Sequence, residues 1–144
     1  MSFEMLLGHL VGDYFFQNDW MALNKSKQDG LGWLTCLIHC TIYSTSVCLL
    51  MGEWGWWWAI VFLTHFPIDK WGLGEKYLKF TRSRSIGRFM EDSRNASYSP
   101  HVALRAGFVV FVYAVVDNTM HLVLMHYAHN IWLQYLDPMM GVTV

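Results

Sequence analysis

The sequence predicts an all-α protein, a single membrane domain (residues 1–144) in which four antiparallel helices cross the bilayer. Composition is the first observation, because 54% of the 144 residues are hydrophobic and only 15% are charged. A typical soluble domain carries about 25% charged residues. Charge placement is the second observation, because residues 31–51 contain no Asp, Glu, Lys or Arg. A helix of that length covers the roughly 30 Å hydrocarbon core of a bilayer.

Four crossing helices are expected in chain order, over residues 3–23, 31–51, 54–71 and 101–126. The first is not a generic anchor, since it contains acidic residues, but its apolar residues recur at helical spacing. The third is short, so it spans the bilayer only if it runs to about Trp71 or is tilted. From residue 106 to residue 136, which covers most of the fourth, the chain carries a single formal charge, Asp117. A short fifth helix is expected near residues 130–136.

The positions of lysine and arginine predict the orientation. Eight of the ten basic residues lie between Lys70 and Arg105, in and around a connection expected at residues 72–100. This connection is expected to begin as a basic amphipathic helix. The other two, Lys25 and Lys27, lie in the break after the first helix. Alternating crossings place both basic connections on one side, and an excess of Lys and Arg marks the cytoplasmic side. The N-terminus is therefore expected outside.

Composition and motifs exclude several classes of protein. Lys and Arg number 10 against 11 for Asp and Glu, whereas a nucleic-acid-binding domain carries a basic excess. Three cysteines are too few for a disulfide scaffold. The sequence has no phosphate-binding glycine loop, nucleophile elbow or zinc-finger spacing. Function must therefore be sought in the polar residues of the apolar helices.

Histidine and aspartate recur four residues apart in three of the predicted helices. Residues at this spacing share one helix face, so each helix presents an imidazole and a carboxylate together. The pairs are His9 with Asp13, His65 with Asp69, and Asp117 with His121. His39 adds an imidazole from the second helix, and Gln17 continues the first stripe by one turn. In an alternating bundle these side chains reach similar depths.

This residue set predicts a metal site. A carboxylate inside a membrane is costly unless it is paired or binds a metal ion. Imidazole with carboxylate suits transition metals, and helical bundles hold such ions between facing helices. We expect a divalent transition metal, zinc first, with manganese or iron as alternatives. The expected ligands are His9, Asp13, His39, His65, Asp69, Asp117 and His121, with Asp13, His39, His65 and Asp117 as the first choice. The expected catalytic residues are Gln17, as a contact to substrate or water, and Asp69.

Each of these residues also has a plainer explanation. A single His/Asp pair is more often a hydrogen bond that orients the ring, or a carboxylate that supports a ligating histidine. Three pairs together with His39 favour ligation, because ionisable residues inside a membrane are mostly functional. A proton pathway uses the same residue types. Cys36 and Cys40, beside His39, are more often packing residues than ligands.

The N-terminal half of the chain carries a family resemblance. The string LGHLVGDYFFQ (residues 7–17) is followed by a basic turn, by an isolated His39 and by His65 four residues before Asp69. This pattern resembles a family of small bacterial and phage membrane proteins catalogued as domain of unknown function 3307. The resemblance implies a protein of the bacterial inner membrane but no activity. A looser similarity is to membrane-bound metal-dependent hydrolase-like proteins, which also place His and Asp on apolar helices.

The favoured interpretation is a metal-dependent hydrolase-like membrane protein acting on a phosphate-containing or lipid-linked substrate at the cytoplasmic leaflet. Whether the chain is an enzyme stays open at this stage. One alternative is a non-enzymatic bacterial or phage module that modulates a host membrane protein, with the His/Asp pairs only holding helices together. Another is a small proton or ion pathway. The expected partners are the lipid bilayer, an anionic substrate, and a second copy of the chain or a host membrane protein.

Overall fold

The structure, a computed structural model, describes residues 2–81, 100–136 and 139, with the backbone alone at 100–103 and 136. Every regular element within these ranges is helical, which confirms the predicted all-α class. The helices are α1 (Phe3–Leu10), α2 (Asp19–Asn24), α3 (Gly30–Met51), α4 (Trp56–Trp71), α5 (Leu73–Phe80) and α6 (Pro100–Ile131). Two π-helical segments, Val11–Phe15 and Trp132–Leu136, follow α1 and α6 directly.

The chain divides into two compact units. The first comprises Met1–Trp71 and His121–Val144, and the second comprises Gly72–Met120. The first unit holds α1 to α4 and the end of α6, and the second holds α5 and the rest of α6. The predicted basic connection begins with α5, while residues 82–99, which carry most of the predicted amphipathic helix, lie outside the described residues.

The structure divides the segment predicted as one helix over residues 3–23 into three helical pieces. The π-helical segment Val11–Phe15 follows α1, and α2 begins after Asn18. The Asn18 side chain accepts a hydrogen bond of 2.9 Å from the Met21 N–H and so caps α2. Such a side chain competes with continuation of the preceding helix. π-helical turns are frequent at functional sites, and Asp13 lies in this one.

The first unit is organised around an antiparallel hairpin of α3 and α4. α3 ends at Gly52, whose φ of 73° is left-handed and suits glycine. Near this turn the Trp58 ring nitrogen donates to the Thr45 hydroxyl at 3.2 Å. Further along the hairpin, ring nitrogens of His39 and His65 lie 3.1 Å apart. Polar side chains of the two helices therefore also meet along the hairpin, at a distance from the turn at Gly52.

Pro67 lies inside α4 without ending it. Proline removes one backbone donor and clashes with the preceding turn, so the sequence predicts either a kink or a helix end here. The helix does not end here and runs on to Trp71. Asp69 thus stays on the helix that carries His65, one turn further along.

α1 packs closely against α3 through two glycines. A Cβ added to Gly8 would lie 2.8 Å from the Cα of Val47, and one added to Gly12 would lie 2.7 Å from a ring carbon of Tyr43. Real Cβ atoms do not approach other heavy atoms so closely. Because these positions have no side chain, the backbone of this segment can approach α3 closely. His9 and Asp13, which follow the two glycines directly, therefore lie close to α3.

We expect Gly8→Ala to lower the free energy of unfolding by about 1–2 kcal/mol. Overpacking costs about 1–3 kcal/mol, and the better helix propensity of alanine offsets at most about 1 kcal/mol of that. Thermal unfolding of the detergent-solubilised chain measures the change. Gly30→Ala is the matched control, because a Cβ there meets nothing within 4 Å. Equal unfolding temperatures for the two variants would contradict the close packing of α1 on α3.

Two of the described helical stretches are long and apolar enough to cross a membrane. They are Gly30–Met51, with a mean hydropathy of 1.6, and Leu104–Tyr135, with a mean hydropathy of 1.8. α4 has 16 residues and spans about 24 Å, less than the roughly 30 Å of hydrocarbon. Length and composition thus support a membrane protein with two candidate crossings. The four-crossing bundle and the side that each loop faces stay predictions.

Candidate metal centre

Four side chains of the first unit meet at one buried point. Asp13 comes from the π-helical segment, His39 from α3, and His65 and Asp69 from α4; we call these four residues the inner cluster. Each offers one ligand atom, and the four atoms lie within 4.8 Å of one another. The side chains of His39, His65 and Asp69 are 1% exposed, and that of Asp13 is 10% exposed. The cluster is therefore almost closed to solvent, with Asp13 at its most accessible edge.

The spacing within the inner cluster is compatible with ligands around one ion. Nε2 of His39 lies 3.1 Å from Nε2 of His65, 2.9 Å from Oδ2 of Asp69 and 3.2 Å from Oδ1 of Asp13. Nε2 of His65 lies 3.1 Å from Oδ2 of Asp69 and 3.6 Å from Oδ1 of Asp13. Tetrahedral zinc with bonds of about 2.0–2.1 Å holds its ligand atoms about 3.3 Å apart. Five of the six edges of the cluster thus agree with a tetrahedron around a metal ion.

One carboxylate oxygen of the inner cluster lacks a hydrogen bond among the described residues. Oδ1 of Asp13 is buried and accepts no hydrogen bond from the described residues, although it faces the Nε2 atoms of His39 and His65. A buried carboxylate oxygen in this state is costly. A cation between the carboxylate and the two imidazoles would satisfy it. The residues present therefore fit a metal ion by chemistry as well as by distance.

Each carboxylate of the inner cluster contacts a further histidine through its second oxygen. Oδ2 of Asp13 lies 3.3 Å from Nδ1 of His9, and Oδ1 of Asp69 lies 3.4 Å from Nε2 of His121. We call His9 and His121 the outer histidines. Contacts of this kind fix the orientation of ligating carboxylates. Both residues were predicted as ligands. In the structure each contacts the carboxylate oxygen that the imidazoles of the inner cluster do not contact.

Tyr43 is a member of the site that sequence reasoning missed. Its ring stacks on His65 with centroids 3.5 Å apart, and the ring of His121 stacks on His65 at 4.0 Å. Its hydroxyl lies 2.9 Å from Nδ1 of His9. Nδ1 of His65 has no hydrogen-bond partner among the described residues, so stacking orients this ring. The available signal was that Tyr43 follows His39 by one turn of α3 and shares its face.

Lys25 is the second residue of the site that sequence reasoning missed. Its ammonium donates to Oδ2 of Asp69 at 2.8 Å and to Oε1 of Gln17 at 2.7 Å. Gln17 thus reaches the edge of the inner cluster through Lys25. In the sequence, Lys25 was explained as one of the basic residues that mark the cytoplasmic side. Nothing else in the sequence indicated that it belongs to the site.

The remaining candidates are not members of the inner cluster. Asp117 belongs to the second unit, where a Cβ added to Gly74 would lie 2.8 Å from its Oδ1; its assignment as a metal ligand stays a prediction. Cys36 and Cys40 are buried within α3 with their sulfurs 3.8 Å apart. His129, near the end of α6, lies 3.0 Å from a carboxylate oxygen of Glu53.

The fold and the inner cluster define an all-helical protein with helices of membrane-spanning length and a buried His/Asp site. The chain belongs to the family described as protein of unknown function DUF3307, whose model matches residues 1–140. This confirms the resemblance and extends it from the N-terminal half to almost the whole chain. No curated protein and no solved structure matches the chain, and the looser similarity to hydrolase-like proteins is not confirmed. The family description carries no activity, so function must be argued from the site.

Proposed function

We propose that this chain is a membrane-embedded metalloprotein that binds a divalent transition metal ion at the inner cluster and hydrolyses a phosphate-containing or lipid-linked substrate. One observation carries the proposal, namely that two imidazole nitrogens and two carboxylate oxygens converge at the distances of a tetrahedral site. Mixed nitrogen and oxygen ligands favour zinc, manganese or iron over magnesium or calcium. Zinc is our first choice.

The charges of the inner cluster support a divalent ion. Asp13 and Asp69 carry one negative charge each, and a divalent cation balances both. His39 and His65 bind as neutral imidazoles and add no charge. Two carboxylates in so enclosed a site are costly without compensating charge, since burial removes their hydration, and the 2.8 Å contact with the Lys25 ammonium is to Asp69.

The accessibility of Asp13 supports a catalytic role. A catalytic metal site keeps one position for water, whereas a purely structural site fills all four with protein atoms. Asp13 is the most exposed member of the cluster and has the longest contacts to the imidazoles. We assign His39, His65 and Asp69 to hold the ion, and Asp13 to accept a proton from a water molecule that enters beside it. Asp69, predicted as catalytic, then acts by holding the ion.

The proposed reaction is hydrolysis of a phosphate ester. When bound, the ion lowers the pKa of its water towards about 7 and polarises a phosphoryl oxygen. The water oxygen forms a bond to phosphorus, the bond from phosphorus to the leaving oxygen breaks, and the proton lost by the water passes by way of Asp13 to the leaving oxygen. Asp13 takes the proton that the attacking water loses.

Exposed aromatic side chains beside Asp13 support a substrate held at the membrane interface. Tyr14 and Phe15, which follow Asp13 directly, are 58% and 79% exposed. Aromatic residues favour the boundary between hydrocarbon and headgroups. We propose that this boundary lies on the cytoplasmic side of the bacterial inner membrane, as the basic loops predict, so that the site opens beside the headgroups.

The proposal is tested on the full chain purified in detergent. We expect about one transition-metal ion per chain by elemental analysis, and metal-dependent release of phosphate from a soluble phosphomonoester or from short-chain phosphatidic acid. A chelator should abolish the activity, and adding back the metal should restore it. Metal-free protein with full activity would contradict the proposal. Metal-free protein that moves protons across liposome membranes would contradict it in favour of a proton pathway.

A further inference from the structure

Lys70 is a fully buried lysine at the end of α4, directly after Asp69 of the inner cluster. Its ammonium donates to the backbone carbonyl of Lys27 and lies 4.6 Å from the centre of the Trp33 ring. Burying an ammonium is costly unless such partners replace its hydration, and the face of a tryptophan ring is one of them. The proposed hydrolysis does not use this lysine, so another role must account for its burial.

The ammonium of Lys70 ties the end of α4 to the connection between α2 and α3 (residues 25–29). A second hydrogen bond joins the same two segments, because Nε2 of Gln28 donates to the carbonyl oxygen of Lys70 at 3.2 Å. A Cβ added to Gly32 would clash with the Lys27 carbonyl that accepts from the lysine, so α3 packs directly on this backbone. The connection is therefore fixed between α3 and the last turn of α4.

The last turn of α4 needs support from outside the helix because of Pro67. Proline has no backbone N–H to donate to the carbonyl of Leu63, four residues earlier. The helix nevertheless continues to Trp71, and the turn carries Asp69 into the buried inner cluster. The position of this carboxylate therefore depends on tertiary contacts, and its neighbour Lys70 supplies two of them through the α2–α3 connection.

We propose that Lys70 is a positioning residue that holds Asp69 and the α2–α3 connection in fixed positions relative to each other, and so orients the carboxylate towards the metal ion. Oδ2 of this carboxylate accepts from Lys25 of the connection at 2.8 Å and contacts the imidazoles of His39 and His65 at 2.9 and 3.1 Å. A shift of the last turn against the connection would therefore redirect the oxygen. Ligand geometry depends on such supporting contacts. The inference rests on the proposed function, because it concerns a carboxylate assigned to hold the ion.

The test compares Lys70→Met with Lys76→Met, which makes the same chemical change at an exposed position of α5. Methionine is an unbranched side chain that fills the space of the lysine stem but has no charge and no N–H. The full chain in detergent is loaded with zinc to measure affinity, and with cobalt(II), whose visible absorption spectrum reports the geometry of its ligands. We expect Lys70→Met to bind zinc about ten- to hundredfold more weakly and to change the cobalt spectrum. Lys76→Met should change neither.

A second variant separates positioning from a general loss of structure. Gln28→Met removes the other hydrogen bond between the connection and α4 from an exposed residue, and it should change the cobalt spectrum in the same direction but less. Unchanged zinc affinity and cobalt spectrum in a helical Lys70→Met would overturn the proposal. If Lys70→Met loses its helical circular dichroism, an unchanged spectrum and affinity in Gln28→Met would overturn it instead. Failure of the unsubstituted chain to bind either metal would overturn the proposed function itself.

Discussion

Replacing both imidazoles of the inner cluster, His39→Ala together with His65→Ala, is expected to leave the purified chain without transition metal. The two Nε2 atoms are 3.1 Å apart and supply two of the three ligands assigned to hold the ion. Removing a residue that only hydrogen-bonds to a metal ligand typically costs about 10–100-fold in metal affinity. Losing two ligands should therefore cost at least about a thousandfold. Elemental analysis after dialysis against buffer of low free metal measures the loss.

Two other histidines of the same chain provide the control for this experiment. His126→Ala with His129→Ala removes the same number of imidazoles from α6, where His126 lies beside Asn130 and His129 beside Glu53. This double variant should keep its metal. Circular dichroism should show both variants helical. Equal metal content in the two double variants would contradict the assignment of the inner cluster.

Asp69→Asn is expected to abolish hydrolysis while hardly changing the volume of the side chain. Oδ2 of Asp69 contacts both imidazoles of the inner cluster and the ammonium of Lys25, and Oδ1 contacts His121. Asparagine removes the negative charge and turns one of these acceptors into a donor. We expect kcat/KM for a phosphomonoester to fall by at least about a thousandfold, because this carboxylate is one of the three groups assigned to hold the ion.

The matched control for Asp69→Asn is Asp19→Asn, at an exposed position in the first turn of α2. It makes the same chemical change away from the inner cluster and should leave kcat/KM within a factor of about two. Activity of Asp69→Asn within tenfold of the unsubstituted chain would contradict the role of this carboxylate.

The ends of α3 were predictable because strong local signals mark them. The sequence predicts a helix over residues 31–51, and the structure has Gly30–Met51. Asp29 caps its start, accepting from the Gly32 N–H at 2.7 Å, and the left-handed Gly52 ends it. The break before α2 was not predictable from apolar periodicity, which continues through it. It depends on the competition between a polar cap at Asn18 and the helical backbone.

The candidate site was predictable where residues of one helix act together. The spacing of four residues placed His9 with Asp13 and His65 with Asp69 before any tertiary contact was known. The contact from Lys25 to Asp69 joins residues 44 positions apart, and no local pattern encodes it. The stacking of Tyr43 on His65 likewise depends on how α3 packs against α4.

X-ray absorption at the edge of the metal that accompanies the purified chain tests the central claim most directly. We predict a shell of nitrogen and oxygen at about 2.0–2.1 Å for zinc, with the outer-shell scattering of two imidazoles and no sulfur. That shell should disappear in the His39→Ala and His65→Ala double variant. A sulfur shell near 2.3 Å, which would place Cys36 or Cys40 on the metal, would contradict the account. A shell without imidazole scattering, or a chain that carries no transition metal, would contradict it equally.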